Sequence, residues 1–271
     1  IDAARNNIFF AHTSFKWSNL AKHNAGVTVV IIGFGRDTCR KARLHQTVGD
    51  EVMVKEVNEI NGYLVPAPNI WIEKRSLPIS EADPMTKGSQ PTDGGHLLLS
   101  AQEAQQIDLS VDERRRYIRR LYGSAEFIRG LERYCLWFEE ADLERIIKNA
   151  AIFKRLEAVK NMRLASPKQV TRARAAVPHL FGEIRQTGNE QVIIVPSVSS
   201  EARQYLPVGL APANTIVSNL AFAILNAPLW NLSLVASRLH LTWVATVCGK
   251  LKTDYRYSNS LGWNTFPIPK L

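Results

Sequence analysis

The sequence predicts a mixed α and β (α+β) fold, and three features predict it. A β-branched run at 27–35 closes on glycines, a proline-rich stretch at 60–100 holds short strand-like segments, and helical periodicity recurs through much of the remainder. The run at 27–35 reads as the last part of an α/β sheet, and the change of character beyond it sets a domain boundary near residue 61.

In chain order, FAHTSFKWSNLAKHNAG suits a short helix or loop leading into the next element. That element, VTVVIIGFG at 27–35, reads as a strand buried on both faces. Between 60 and 100, Pro66, Pro68, Pro78, Pro84 and Pro91 and the turn Thr92-Asp93-Gly94-Gly95 predict irregular connections, with NIWIEKR as a short strand. Ser110 and Glu113 have capping-box spacing ahead of RRRYIRRLYG, with Gly123 as the stop. Residues 142–163 place Leu143, Ile146, Ile147, Ala150, Phe153 and Leu156 at helical spacing. A strand is expected in QVIIVPSVSS, helices at 216–226 and 231–251, and a loop in the tail YSNSLGWNTFPIPK.

Composition bounds the function. The chain has 271 residues and a formal net charge of +9, which points to a polyanionic partner. It opens on Ile1 without a signal-peptide pattern, so the reading is of a protein that extends upstream. No run of about 18 apolar residues suggests a membrane span. Three well-separated cysteines, with Cys135 and Cys248 in apolar runs, argue for reduced thiols and a cytoplasmic protein.

Catalytic equipment is missing from the pattern. Gly33-Phe34-Gly35 is not a complete GxGxxG, so no cofactor-binding residue is assigned. The six histidines have no metal-ligand spacing, so no metal is expected, and there is no GxSxG. Transfer to an exocyclic amino nitrogen needs an (Asp/Asn)-Pro-Pro-(Tyr/Phe) loop, and no Pro-Pro pair occurs. No catalytic residue is therefore assigned.

The basic residues are the stronger signal. Eight basic side chains stand against two acidic ones between 151 and 185. Lys154, Arg155, Arg163, Lys168, Arg172 and Arg174 are phosphate candidates, as are Lys250, Lys252 and Arg256 near Tyr255 and Tyr257. In FGEIRQ, alternation as on a strand would set Glu183 and Arg185 on one side. With Gln186 they are base-reading candidates, since Arg, Glu and Gln each match a base edge. The competing reading is a solvated surface with one ion pair. Arg114, Arg115, Arg116, Arg119 and Arg120 have two readings, another phosphate clamp and, slightly favoured by the acids at Asp108, Asp112 and Glu113, a solvated helical face.

Several long strings together resemble the C-terminal third of the MmeI-like enzymes, restriction-modification proteins with a fused adenine-N6 DNA methyltransferase. They include FAHTSFKWSNLAKHNAGVTVVIIGF, INGYLVPAPNIWIEKRSLPIS, KGSQPTDGGHLLLS, YGSAEFIRGLERYCLW, PHLFGEIRQ, IIVPSVSSEARQYLPVGL and VCGKLKTDYRYSNSLGWNTFPIP. ISEADPMTKG departs from the family's more usual LSGxPPMxxG. The resemblance implies that 1–60 is the end of the methyltransferase domain, 61–195 a target recognition domain and 196–271 a helical support. It implies double-stranded DNA and the upstream methyltransferase domain as partners. It also implies S-adenosylmethionine as cofactor of the full-length parent, with none in this chain. Two rivals remain: a module docking on a separate catalytic subunit through helices at 216–251, and a small stand-alone α/β enzyme.

Overall fold

The computed structural model describes residues 6–17, 27–36, 41–49 and 51–268. It is mixed α and β, as expected.

The first sheet holds β1 (Asn7–Trp17), β2 (Val27–Gly35), β3 (Ala42–Val48) and β4 (Glu51–Val57) in the order β2-β1-β3-β4. β1 runs antiparallel to β2 and parallel to β3, and β3 runs antiparallel to β4. The helix or loop expected from residue 10 is a strand as far as Trp17, and the rest of that segment lies outside the described residues. Phe9, Phe10, Thr13, Phe15 and Trp17 explain the strand, because aromatic and β-branched side chains suit a pleated surface. β2 was expected to be buried on both faces. Instead Val30, Ile31, Ile32 and Phe34 are exposed, because β1 is its one partner among the described residues. Gly33 is a packing glycine: a Cβ there would lie 2.2 Å from the ring of Phe10. Ile8, Ala11, Ala42, Leu44, Val57 and Ile60 form the sheet's own small core.

Residues 58–84 carry no helix or strand, and the expected strand at 69–75 does not form. The backbone of this stretch bonds to the tail of the chain. Arg75 N–H donates to Ser260 O (3.0 Å) and Ile79 N–H to Asn264 O (2.9 Å). Asp83 is locked by Asn231, whose Nδ2 donates to its carboxylate at 2.7 Å, and by Trp263, whose Nε1 donates to its carbonyl at 2.8 Å.

The remaining body has two four-stranded sheets and one small one. β5 (Met85–Lys87), β9 (Val192–Pro196), β11 (Gly209–Ala211) and β13 (Ala221–Leu225) form one, in the order β11-β9-β13-β5. β6 (Leu98–Ser100), β7 (Ile118–Tyr122), β8 (Arg133–Leu136) and β12 (Thr215–Val217) form the second, in the order β12-β7-β8-β6. The small sheet is β10 (Val198–Ser199), β15 (Asp254–Arg256) and β14 (Lys250–Leu251), with β15 in the middle. Strands from beyond residue 195 therefore complete sheets begun before it.

The helix expected at 216–226 is a correction: these residues make β12 and β13, parted by a turn at Asn219 and Leu220. Ala221 to Ile224 are buried, since β13 lies between β9 and β5. A short, wholly apolar run fits a central strand as well as a buried helix, so periodicity alone does not separate them. The helix at 231–251 is two, α7 (Leu229–Ala236) and α8 (Arg238–Val247), split where Ser237 Oγ accepts from His240 N–H at 3.0 Å. The tail YSNSLGWNTFPIPK contains a π-helical turn at Asn259–Trp263, so it is less of a loop than expected.

The shorter helices are α1 (Ala101–Gln106), α2 (Val111–Tyr117), α3 (Ser124–Arg129) and α4 (Leu143–Ile146). The Ser110–Glu113 capping box forms in both directions, at 3.3 and 3.1 Å. α2 is brief, however, and the chain passes directly into β7. The helix expected over 142–163 is interrupted at Asn149, whose side-chain oxygen accepts from the N–H groups of Ala151 and Ile152. It therefore starts α5 (Ala150–Leu164). The buried face of α5 is Ile152, Leu156, Val159 and Arg163, while Phe153 and Ile147 point outward. α6 (Gln169–Ala173) follows.

Candidate nucleic-acid interface

The FGEIRQ segment is held at both ends. Phe181 is buried, edge-on to Trp137 with ring centroids 4.9 Å apart. Gln186 is buried, its Nε2 donating to Thr215 O at 2.7 Å and its Oε1 accepting from Val217 N–H at 2.9 Å. Between these anchors the main chain is fastened to residues 89–91. Gly182 N–H donates to Pro91 O (3.0 Å), Glu183 and Gln90 exchange both backbone bonds (3.0 and 2.9 Å), and Arg185 N–H donates to Ser89 Oγ (3.0 Å). Ser89 is itself fully buried and bridges to Ser218. Only the side chains of Glu183, Ile184 and Arg185 are left outside. Glu183 and Arg185 share a side and touch, with Arg185 Nη2 2.9 Å from Glu183 Oε2 and both side chains about half exposed.

Three tight places build this platform. A Cβ on Gly88 would lie 2.4 Å from the carbonyl oxygens of both Val217 and Ser218. A Cβ on Gly182 would lie 2.6 Å from Thr92 Oγ1. Asp93 closes the neighbouring turn by accepting from Gly95 N–H (3.1 Å) and Leu97 N–H (2.6 Å), with Gly94 and Gly95 at positive φ.

Arg163 and Gln186 are corrections. Arg163 is completely buried and donates to five carbonyls, those of Pro91, Thr92, Arg174, Val177 and Leu180, at 2.7–3.1 Å. A guanidinium so enclosed cannot reach a phosphate; it ties α5 to the loops on either side of the FGEIRQ platform. Gln186 is spent on the backbone of β12 and cannot reach a base.

The other cations divide by occupation. Arg155 meets Glu103 at 2.6 Å, and the Ser100 backbone N–H together with Arg155 brings the Glu103 carboxyl down to about 2. Arg172 donates to the carbonyls of Ser166 and Pro167, both at 2.8 Å. Lys250 lies 3.5 Å from Glu201 and over the Tyr255 ring. Lys154, Lys168, Arg174, Lys252 and Arg256 are exposed and have no ion pair among the described residues. The arginines of 114–120 are mostly engaged: Arg114 on the carbonyls of Ala104 and Ile107, Arg116 on Asp142 (2.7 Å), Arg119 on Asn214, and Arg120 on Glu132 and Tyr134.

Sequence reading missed Gly88, Ser89 and Gln90. The glycine was a signal, but no local pattern reveals a partner more than ninety residues away. Cys135 and Cys248 are buried thiols, and burial pushes Cys248 up to about 11. His12 and His45 stack across β1 and β3, yet no group of three metal-ligating residues occurs among the described residues.

The fold and this site define a class: an α+β body that presents a backbone-clamped polar loop, joined to a separate terminal sheet. The chain belongs to the MmeI family, its residues 66–270 matching the family described as MmeI, target recognition domain. Residues 1–46 match MmeI, DNA-methyltransferase domain. DNA methyltransferase A of Bacillus subtilis (strain 168) is 44% identical over 265 residues, which is 97% of this chain and 30% of that protein. A solved structure of the type IIL restriction-modification enzyme MmeI in complex with DNA superposes with a TM-score of 0.87 at 34% identity, covering 98% of this chain and 36% of that one. The chain thus spans about a third of the length of the relatives it matches.

Proposed function

We propose that this chain is the DNA-recognition portion of an adenine-N6 DNA methyltransferase of the restriction-modification type. It binds a specific duplex sequence and presents one adenine to a catalytic domain upstream. That domain uses S-adenosylmethionine in the full-length cytoplasmic parent. The observation that carries the reading is the clamped segment 182–185, whose backbone is fastened at Gly182, Glu183 and Arg185 and whose Glu183 and Arg185 side chains, paired with each other, stand half exposed. Arg185 reads guanine and Glu183 accepts from a base amino group in the major groove, each good contact worth about 1–3 kcal/mol of discrimination. Lys154, Lys168, Arg174, Lys252 and Arg256 hold phosphates, which sets register without reading sequence. Arg155, Arg172 and Lys250 join them only by leaving the partners they now have. Residues 61–195 recognise, 196–271 support them, and 1–60 close the methyltransferase domain.

The test is selection of bound duplexes from a random library, followed by sequencing. The wild-type chain is expected to enrich a short motif containing adenine. Arg185→Ala is expected to change or relax that motif at one position, and Lys168→Ala to weaken binding to all sequences alike. Equal loss on every duplex for both variants would refute the division of roles. Absence of DNA binding would instead favour the docking-module reading, for which the exposed Leu229, Trp230 and Leu239 of α7 and α8 provide a surface.

A further inference from the structure

The first sheet ends in an edge that no described residue covers. β4 pairs with β3 along its whole length, from Ala42↔Val57 to Val48↔Glu51, without a bulge. Its outer edge is free among the described residues. Soluble proteins ordinarily blunt such edges with proline, a bulge, very short strands or charged side chains; β4 has seven residues, no proline and no bulge, and the charges of Glu51 and Lys55 are of opposite sign. Val52, Met53 and Val54 are each more than half exposed.

The residues around Met53 have the same character read in either direction. Pair the run Glu51-Val52-Met53-Val54-Lys55 antiparallel with itself about a two-fold axis at Met53. Val52 then faces Val54 of the other copy, Glu51 faces Lys55, and Met53 faces itself. Opposite charges and β-branched side chains directly across a ladder are favourable pairs. Neither Glu51 nor Lys55 has an ion pair among the described residues, so both are available. An axis moved to Val52 sets Glu51 against Met53, and one moved to Val54 sets Lys55 against Met53; both registers lose the match. The complementary run is short, because its neighbours in sequence, Asp50 and Glu56, are both acidic.

From this pattern we infer that β4 is a self-association edge, through which two copies of the chain join their four-stranded sheets into one continuous sheet. The partner is a second copy because the run Glu51–Lys55 matches itself in charge and shape. The interface is small, so the association is weak and reversible.

Sedimentation equilibrium of the 271-residue chain without DNA tests it. The average mass is expected to rise from one copy toward two over about 1–300 μM, as suits an interface below standard size. Glu51→Lys and Lys55→Glu are each expected to weaken association at least tenfold, by placing like charges opposite each other. The double variant E51K/K55E should return it to within about twofold of wild type. As a second readout, Met53→Cys in a Cys39→Ser background should form an intermolecular disulfide under mild oxidation that Cys39→Ser alone does not form, because facing Cα atoms of an antiparallel pair lie about 4.5–5.5 Å apart. A chain that stays monomeric throughout overturns the inference. So does a dimer that is undiminished in Glu51→Lys, or a double variant that fails to recover while Met53→Cys stays unlinked.

Discussion

Arg163 carries its charge into the interior with no carboxylate in hydrogen-bond contact, and five main-chain carbonyls hold it there. Burial lowers its pKa and nearby Asp93 raises it, but arginine keeps its proton at any working pH. Arg163→Ala would orphan carbonyls on three segments at once, and a loss of about 3–5 kcal/mol is expected. Arg163→Lys should recover little, because three ammonium donors cannot span five acceptors in a plane. A urea midpoint lowered at unchanged slope is the check. His240 shows the opposite device, a titratable group kept neutral. It is fully buried, its Nε2 lies 2.9 Å from the Tyr257 hydroxyl, and Trp263 and Phe266 stand edge-on to its ring. Burial brings its pKa down from 6.5 to about 4. As pH falls the unfolded chain takes up this proton first. The stability that depends on His240 is complete above about pH 6.5, declines between 6.5 and 4, and is flat below, for a total on the order of 3 kcal/mol. The difference in urea stability between wild type and His240→Gln should shrink across that window; a constant difference would refute the assignment.

At the scale of elements, the junction of β5 with the turn between β12 and β13 decides the geometry of the candidate interface. Gly88 leaves no room for a Cβ against two backbone oxygens, which cannot swing aside as a side chain can. Gly88→Ala should cost about 1–3 kcal/mol by overpacking. It should also blur sequence selection, since it displaces Ser89, which fastens Arg185. A stable variant with unaltered selection would mean that Ser89 does not position the site. Here the limits of sequence reading become physical. The segment FGEIRQ was legible because charged side chains on an apolar frame are unusual. Its grouping of Glu183 with Arg185 matches the 2.9 Å contact, yet that contact is also what a plain surface ion pair would give. Arg163 and Gln186 were misread because polarity marks a hydrogen-bonding need, and sequence does not say whether water, DNA or the chain's own backbone meets it. The strands at 215–217 and 221–225 and in β1 were missed because short apolar runs take their conformation from distant partners.

At the scale of the whole molecule, the net charge of +9 overstates the surface available to a polyanion. Part of it is spent internally, where Arg114, Arg163 and Arg172 donate to main-chain carbonyls. The salt dependence of DNA binding should therefore follow the unpaired cations that meet the duplex rather than the composition. Lys168→Ala and Arg174→Ala should each reduce the slope of log affinity against log salt by about 0.9, while a change at the engaged Arg116 should leave it nearly unaltered. Titrations at several ionic strengths measure this directly. The mixed α and β class and the family were legible from the start, since many long strings pointed the same way. The interleaving of strands across residue 195 was not, because pairing over that distance leaves no trace in local periodicity.

The fastening of residues 182–185 bears on how such a chain changes over generations. The bonds that tie Gly182, Glu183 and Arg185 to residues 89–91 use main-chain atoms of the loop itself, with Ser89 Oγ, the Gln90 N–H and the carbonyls of 90–91 as partners. The side chains of Glu183, Ile184 and Arg185 contribute almost nothing to keeping the loop where it is. Substitutions at those three positions are therefore nearly free of selection for folding. Drift there can sample new surface chemistry while the scaffold beneath stays the same.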